Sequence, residues 1–146
     1  MKQIIIVIFL VALFFMVPYQ ISAQPNIECP NVKQLERTSL KDKEELLDAL
    51  DKIVPVTYGH GDYGNFYSEW EVITAQPFPE TVGQEKEEVY YEMAKNFCGE
   101  AVADQSWLVK LYFPRWEGKS ASALEGQIFL AKSKEKDGWF VWFRYH

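Results

Sequence analysis

The segment GHGDYG carries the residue types and spacing that come closest to a chemical site. Its histidine, His60, stands two residues before Asp62. A histidine beside a carboxylate can act as a general base with its orienting group, or the two can ligate a metal ion. Either use needs a third group, and the sequence indicates none. The flanking glycines favour the alternative, an exposed turn in which aspartate and glycine satisfy the backbone geometry.

Two further carboxylates, Glu69 and Glu71, flank Trp70 in the next segment. In a strand they would share one face, and on an inner face they could form an acid–base pair. Outward charges that confer solubility are the commoner use of such residues. The sequence contains no Gly-x-Ser-x-Gly, phosphate-loop, His-Glu-x-x-His or calcium-loop motif. It therefore favours a protein that is not an enzyme, with no cofactor and no metal.

Aromatic residues are abundant, with 5 tryptophans, 8 tyrosines and 10 phenylalanines. Several stand in the glycine-rich loop or in the final apolar segment, and both are places where ligands and partners commonly bind. The candidate binding residues are Tyr58, Tyr63, Phe66, Tyr67, Trp70, Trp139 and Trp142. The predicted partner is another protein or a small apolar ligand, and a homodimer formed through the sheet would also cover these side chains.

Residues 1–23 have the layout of a secretory signal peptide. Lys2 precedes an apolar run, Ile4–Val17, which Pro18 ends, and Ala23 offers a small residue at the cleavage position. The run is shorter than the roughly 18 residues that a membrane-spanning helix needs. We expect a secreted, extracellular protein with no stable membrane insertion after cleavage; attachment to a membrane through an uncleaved leader is the alternative.

The remaining chain divides into an extended arm, residues 24–37, and one domain, residues 38–146. Its two cysteines are Cys29, on the arm, and Cys98. Because an exported protein meets conditions that permit disulfides, we expect the two to pair; two free buried thiols are the alternative. The net charge of −6, without a run of lysine or arginine, excludes nucleic acid as a partner, because such affinity comes largely from neutralised phosphates.

Apolar residues at helical spacing predict two helices. The first begins with a capping box from Ser39 to Asp42 and ends at Pro55. The second covers residues 84–104 and has an apolar stripe along one face. Gly99 lies within it, and a break of the helix at that glycine is the rival interpretation.

Alternating apolar residues predict four strands. The first covers residues 66–75, and the other three follow one another with short connections as an antiparallel meander over residues 106–113, 127–132 and 138–146. Asp137-Gly138 is the strongest turn signal. Regular alternation in the last strand would place Trp139, Val141, Phe143 and Tyr145 on one side, opposite Phe140, Trp142 and Arg144. The predicted fold class is α+β: a curved antiparallel sheet, made of this meander and one earlier strand, with two helices packed on one face.

The meander and its preceding helix, residues 85–146, resemble the closing half of cystatin-like domains, and among these the nuclear-transport-factor-like cone. The resemblance rests on the order of the elements and on the Asp-Gly-Trp start of the final strand. It implies a pocket between helices and sheet, which some members use for isomerase or hydratase chemistry and others for binding or assembly. No catalytic motif of the enzymatic members matches residue by residue.

Three hypotheses follow for the function. The leading one is a secreted, non-enzymatic domain that binds a protein or a small ligand. The second is a small pocket enzyme, isomerase-like or hydratase-like, that uses His60 and Asp62, or Glu69 and Glu71, as acids and bases. The third is a structural component of the cell envelope.

Overall fold

The computed structural model describes residues 27–135 and 138–146. The predicted signal peptide, the first residues of the arm and the turn residue Asp137 lie outside the described residues. No helix in the described ranges is long and apolar enough to cross a membrane.

Four strands form one antiparallel sheet in chain order: β1 Glu71–Pro77, β2 Ser106–Tyr112, β3 Glu125–Ser133 and β4 Gly138–Arg144. The helices are α1 Lys43–Tyr58, α2 Glu88–Cys98 and the single turn α3 Glu100–Ala103. The α+β class, with a C-terminal meander and one earlier strand, is confirmed.

Helices cover both faces of the sheet, and the prediction that both helices pack on one face is wrong. In β2, Trp107 and Val109 pack with α1, and Leu108 between them packs with α2 and α3. β3 repeats this pattern, with Ile128 facing α1 and Phe129 facing α2. Strands that carry apolar side chains on both faces need a cover on each face, so the two helices are divided between them.

The predicted first helix starts with a 3-10 turn, Leu40–Asp42, so α1 itself begins only at Lys43, and it ends later than predicted. The capping box precedes it, with the Ser39 N–H donating to Asp42 Oδ2 at 2.7 Å. The predicted end at Pro55 is wrong, because the helix continues through this residue to Tyr58. Proline removes one hydrogen bond without preventing the next, and the Gly59 N–H donates to the Pro55 carbonyl at 2.8 Å. Burial of Tyr58 in the core holds the added turn in place.

The second predicted helix is broken at Gly99, as the rival interpretation proposed. Gly99 has φ 84°, a conformation that glycine adopts without the steric cost paid by other residues. Cys98, the last residue of α2, forms the predicted disulfide with Cys29, with 5.4 Å between the Cα atoms. The arm is bent by a 3-10 turn and meets the sheet where Leu35 bridges to Ser133.

The first strand begins at Glu71, five residues later than predicted. Residues Gly64–Tyr67 form a 3-10 turn instead. There Phe66 and Tyr67 pack against Trp116, with ring centroids 4.7 and 5.4 Å away. Contacts between distant aromatic residues therefore override the local strand preference of this segment.

A β-bulge in β4 changes which residues share a face. Val141 pairs with Leu130 but Phe143 pairs with Phe129, so Trp142 is an extra residue. The extra residue shifts the alternation by one position. Phe143 therefore lies with Trp142 on the α2 side, and Arg144 lies on the α1 side, where its guanidinium stacks on a tyrosine ring of α1. The faces predicted for Phe143 and Arg144 are wrong for this reason.

Candidate functional site

The histidine and the carboxylates that the sequence singles out are all exposed. His60 and Asp62 lie in the loop after α1, where neither forms a hydrogen bond or ion pair with a described residue. Glu69 Oε1 lies 3.9 Å from Arg115 Nε, and Glu71 is the first residue of β1. In residues 27–135 and 138–146, no three His, Cys, Asp or Glu side chains form a group that could hold a metal ion.

The aromatic candidates divide between the core and one cluster around the loop. Trp139 and Trp142 are 8% and 9% exposed, and Trp142 Nε1 donates to Ser106 Oγ at 3.0 Å. Trp70 is half-buried against the α1-side core. The loop cluster contains four predicted binding residues and two aromatic residues that were not predicted, Phe113 and Trp116. Its members are Tyr58, Tyr63, Phe66, Tyr67, Phe113 and Trp116. Most of these rings cover one another, and Tyr63 is the largely exposed member.

Tyr58 connects this cluster to the end of β4. Its hydroxyl donates to the main-chain oxygen of His146 at 2.5 Å, and its ring lies 4.1 Å from the guanidinium carbon of Arg144. Burial raises the pKa of Tyr58 well above its usual range, and the charge of Arg144 offsets part of this rise. Arg144 Nη1 also donates to the Thr57 carbonyl at 2.8 Å. The guanidinium is thus held at the C-terminal end of α1.

Strand β1, one of the two outer strands, is protected against pairing with another chain. Its last residue, Pro77, has no N–H to donate, and a bulge at Ile73 interrupts its register. The side chain of Gln84 also binds Gln76, with 3.1 Å between Gln76 Nε2 and Gln84 Oε1. Each of these features opposes a further strand at this edge.

Strand β4, the other outer strand, lacks such protection over Gly138–Val141, since its bulge at Trp142 comes only after these residues. Residues Gly138–Phe143 include no proline and no charged side chain, and Gly138–Val141 pair with β3 in regular register. Over the part of the chain that the structure describes, no strand pairs with the outer side of β4. Its outer backbone groups therefore remain available to an added strand.

Two cavities open along this edge, one on each face of the sheet, and together we call them the edge groove. The helix-side cavity has a volume of about 400 Å³ and is lined by Lys52, Ile53, Val56, Thr57, Phe140 and Val141. The arm-side cavity also measures about 400 Å³ and lies between the arm and β4, lined by residues 28–31, Gln34, Leu35, Ser133, Phe140, Val141 and Trp142. Because Phe140 and Val141 border both cavities, the two adjoin across the edge of the strand.

The two cavities differ in chemistry. Val56, 67% exposed, offers apolar surface on the helix side together with Ile53 and Val141. The arm side presents polar groups, among them Glu28 and Asn31. An occupant with one apolar and one polar face fits this difference.

Sequence reasoning missed the helix wall of the groove because it ended α1 at Pro55. A helix that ends at Pro55 leaves Val56 and Thr57 in the following loop. They then cannot share a helix face with Lys52 and Ile53. The signal was present, since each pair is separated by four residues and lies on one helix face.

The fold and the groove define a class by architecture: a disulfide-bonded α+β domain whose four-stranded sheet has one unprotected edge. Comparisons with protein-family models, curated proteins and solved structures found no match to this chain.

Proposed function

We propose that this protein is a secreted, non-enzymatic interaction domain that binds an extended segment of another polypeptide along the outer edge of β4. The leader-like N-terminal sequence and the Cys29–Cys98 disulfide support export. The observation that carries the binding proposal is that Phe140 and Val141 border cavities on both faces of an unpaired strand edge.

An added strand would make use of a cavity on each face of the sheet. A segment that pairs with β4 forms main-chain hydrogen bonds with its outer N–H and C=O groups, and these supply affinity with little dependence on sequence. Successive side chains of the added strand point to opposite faces. They would enter the helix-side and arm-side cavities in alternation, and this alternation supplies specificity.

The helix-side cavity is the less polar of the two. Val56 and Ile53 project from α1 beside Val141 of the strand edge. Full burial of one aliphatic or aromatic side chain contributes about 1.5–3 kcal/mol. A single apolar residue of the partner, seated in this cavity, would therefore change the dissociation constant by about tenfold or more.

The test is a selection of random short peptides displayed on phage against the folded protein, followed by affinity measurements with synthetic copies. We expect peptides that slow hydrogen exchange of the amides of Gly138–Val141. The variant Val56→Lys places a charge in the helix-side cavity and should weaken these peptides by about tenfold.

The matched control is Val89→Lys, which changes another exposed valine of a helix outside the groove. It should leave affinity within about twofold. Selected peptides that bind Val56→Lys as tightly as the native protein, or leave exchange at β4 unchanged, would overturn the proposal. A selection that yields no binder would do so as well.

A further inference from the structure

We infer that the segment bound in the edge groove is acidic: an apolar side chain enters the helix-side cavity, and carboxylates lie two residues before and after it. This chemistry deepens the proposed function and rests on it. Two cations indicate these carboxylates: Lys52, which lines the cavity, and Arg144, which is hydrogen-bonded to the lining residue Thr57.

Lys52 lines one end of the helix-side cavity. Arg144 does not line this cavity but lies next to it, since it donates to the carbonyl of Thr57, the last helix residue that does line it. Arg144 itself lines a different cavity, together with Glu125 and Tyr145. Neither cation has a carboxylate of the described residues within ion-pair distance. An apolar cavity with one cation in its lining and a second beside Thr57 favours a partner that carries negative charge on both sides of an apolar contact.

Arg144 is positioned before any partner arrives. Its stacking on Tyr58 and its hydrogen bond to Thr57 fix the side chain. A guanidinium has five N–H donors, and the Thr57 carbonyl is the only hydrogen-bond acceptor that the described residues offer it. A prearranged planar donor loses less conformational freedom when a carboxylate binds.

The two cations are anchored closer together than the two carboxylates that they would bind. Lys52 and Thr57 are five residues apart in α1, a rise of about 7.5 Å along the helix axis. Residues two before and two after a given strand position lie about 13 Å apart on the same face. The Lys52 side chain is long and exposed and can extend outward to meet its carboxylate, whereas the guanidinium of Arg144 stays fixed beside Thr57.

A second copy of the chain fits this charge pattern less well. Its own β4, Gly138–Arg144, has no carboxylate and would bring a further arginine to the groove. The proposed occupant is therefore a different polypeptide, and self-association is an outcome that the experiment can detect.

The experiment uses three synthetic nonapeptides of threonine with leucine at the centre. The residues two before and two after leucine are both glutamate, both serine or both lysine. We expect the glutamate peptide to bind most tightly, with each lost charge pair costing about two- to fivefold in affinity. This preference should shrink in high salt, because the pairs are exposed.

Lys52→Glu should reduce or reverse the preference for the glutamate peptide, and Arg144→Gln should reduce it about two- to fivefold. The control Lys86→Gln removes an exposed cation outside the groove and should leave the preference unchanged. Arg144→Lys keeps the charge and identifies any effect that comes only from lost packing on Tyr58.

The outcomes separate this inference from the proposed function. Equal affinity of all three peptides, with slowed exchange at β4, would overturn the acidic preference and leave strand addition intact. Tighter binding of the lysine peptide would do the same. Failure of every peptide to bind, or to slow hydrogen exchange at β4, would count against both the acidic preference and strand addition. Dimers that form with rising protein concentration and slow exchange at β4 would identify a second copy of the chain as the occupant.

Discussion

The substitution Gly126→Ala tests how Tyr58 and Arg144 are held beside the groove. A β-carbon at this position would lie 2.9 Å from Phe113 Cε2 and 2.9 Å from Tyr58 Cζ, and closer still to the Tyr58 hydroxyl. Both rings are buried, so they can move only by disturbing the core. Overpacking of this kind costs about 1–3 kcal/mol, and loss of the hydrogen bond from Tyr58 to His146 adds about 1 kcal/mol.

We therefore expect Gly126→Ala to lower the free energy of unfolding by about 2–4 kcal/mol in urea titrations, with an unchanged dependence on denaturant. Tyr58→Phe removes the hydroxyl that lies nearest the new methyl group. In that background Gly126→Ala should cost about 1 kcal/mol less than in the native protein, so the double variant should be destabilised by less than the sum of the two single changes. Additive costs, or a Gly126→Ala variant as stable as the native protein, would refute this account of the packing.

Three further predictions concern stability. Cys98→Ser should lower the free energy of unfolding by about 4 kcal/mol, because the disulfide closes a loop between residues 69 positions apart; two reactive thiols in the untreated native protein would contradict the bridge. The hydrogen bond to the Asp104 carboxylate, and then burial, raise the pKa of Tyr91 to about 12. The folded state thus holds this proton more tightly than the unfolded state, so its stabilising effect is complete below pH about 10 and is lost between pH about 10 and about 12. In alkaline unfolding curves Tyr91→Phe should show a shallower loss over this range, and an unchanged slope would be the contrary result. Pro55→Ala restores an N–H inside α1 and should raise the free energy of unfolding by about 1–3 kcal/mol in the same urea titration, whereas a loss of stability would show that proline stiffens the chain more than it weakens the helix.

The sequence predicts elements well where their pattern is local. The capping box at Ser39, the three strands of the meander and the pairing of Cys29 with Cys98 follow from side-chain types within short windows or from the count of cysteines. Each is present in the structure.

The errors occur where distant contacts decide the local structure. Pro55 carries a local signal to end α1, but packing of Tyr58 on the sheet extends the helix by three residues. Phe66 carries a strand signal, but its contact with Trp116 places it in a turn. The bulge at Trp142 has no signal in an alternating sequence, because only its pairing with β3 defines it.

The candidate groove could not be predicted for a related reason. Its walls come from α1, the arm and β4, which the chain brings together only in three dimensions. Of the two binding residues predicted in the last strand, Trp142 lines the arm-side cavity and Trp139 lines neither, whereas Phe140 and Val141 border both cavities. The cavities lie beside β4 because β4 is an outer strand, and this depends on the order of the strands in the sheet.

The bulge at Trp142 also limits how far an added strand can extend. Beyond Val141 the register of β4 shifts, so a long straight segment would lose alignment after a few residues. Fibril growth requires identical strands to stack in continuous register. The irregular end of β4 therefore opposes polymerisation into amyloid-like filaments, although the outer edge of Gly138–Val141 is unpaired in the described residues.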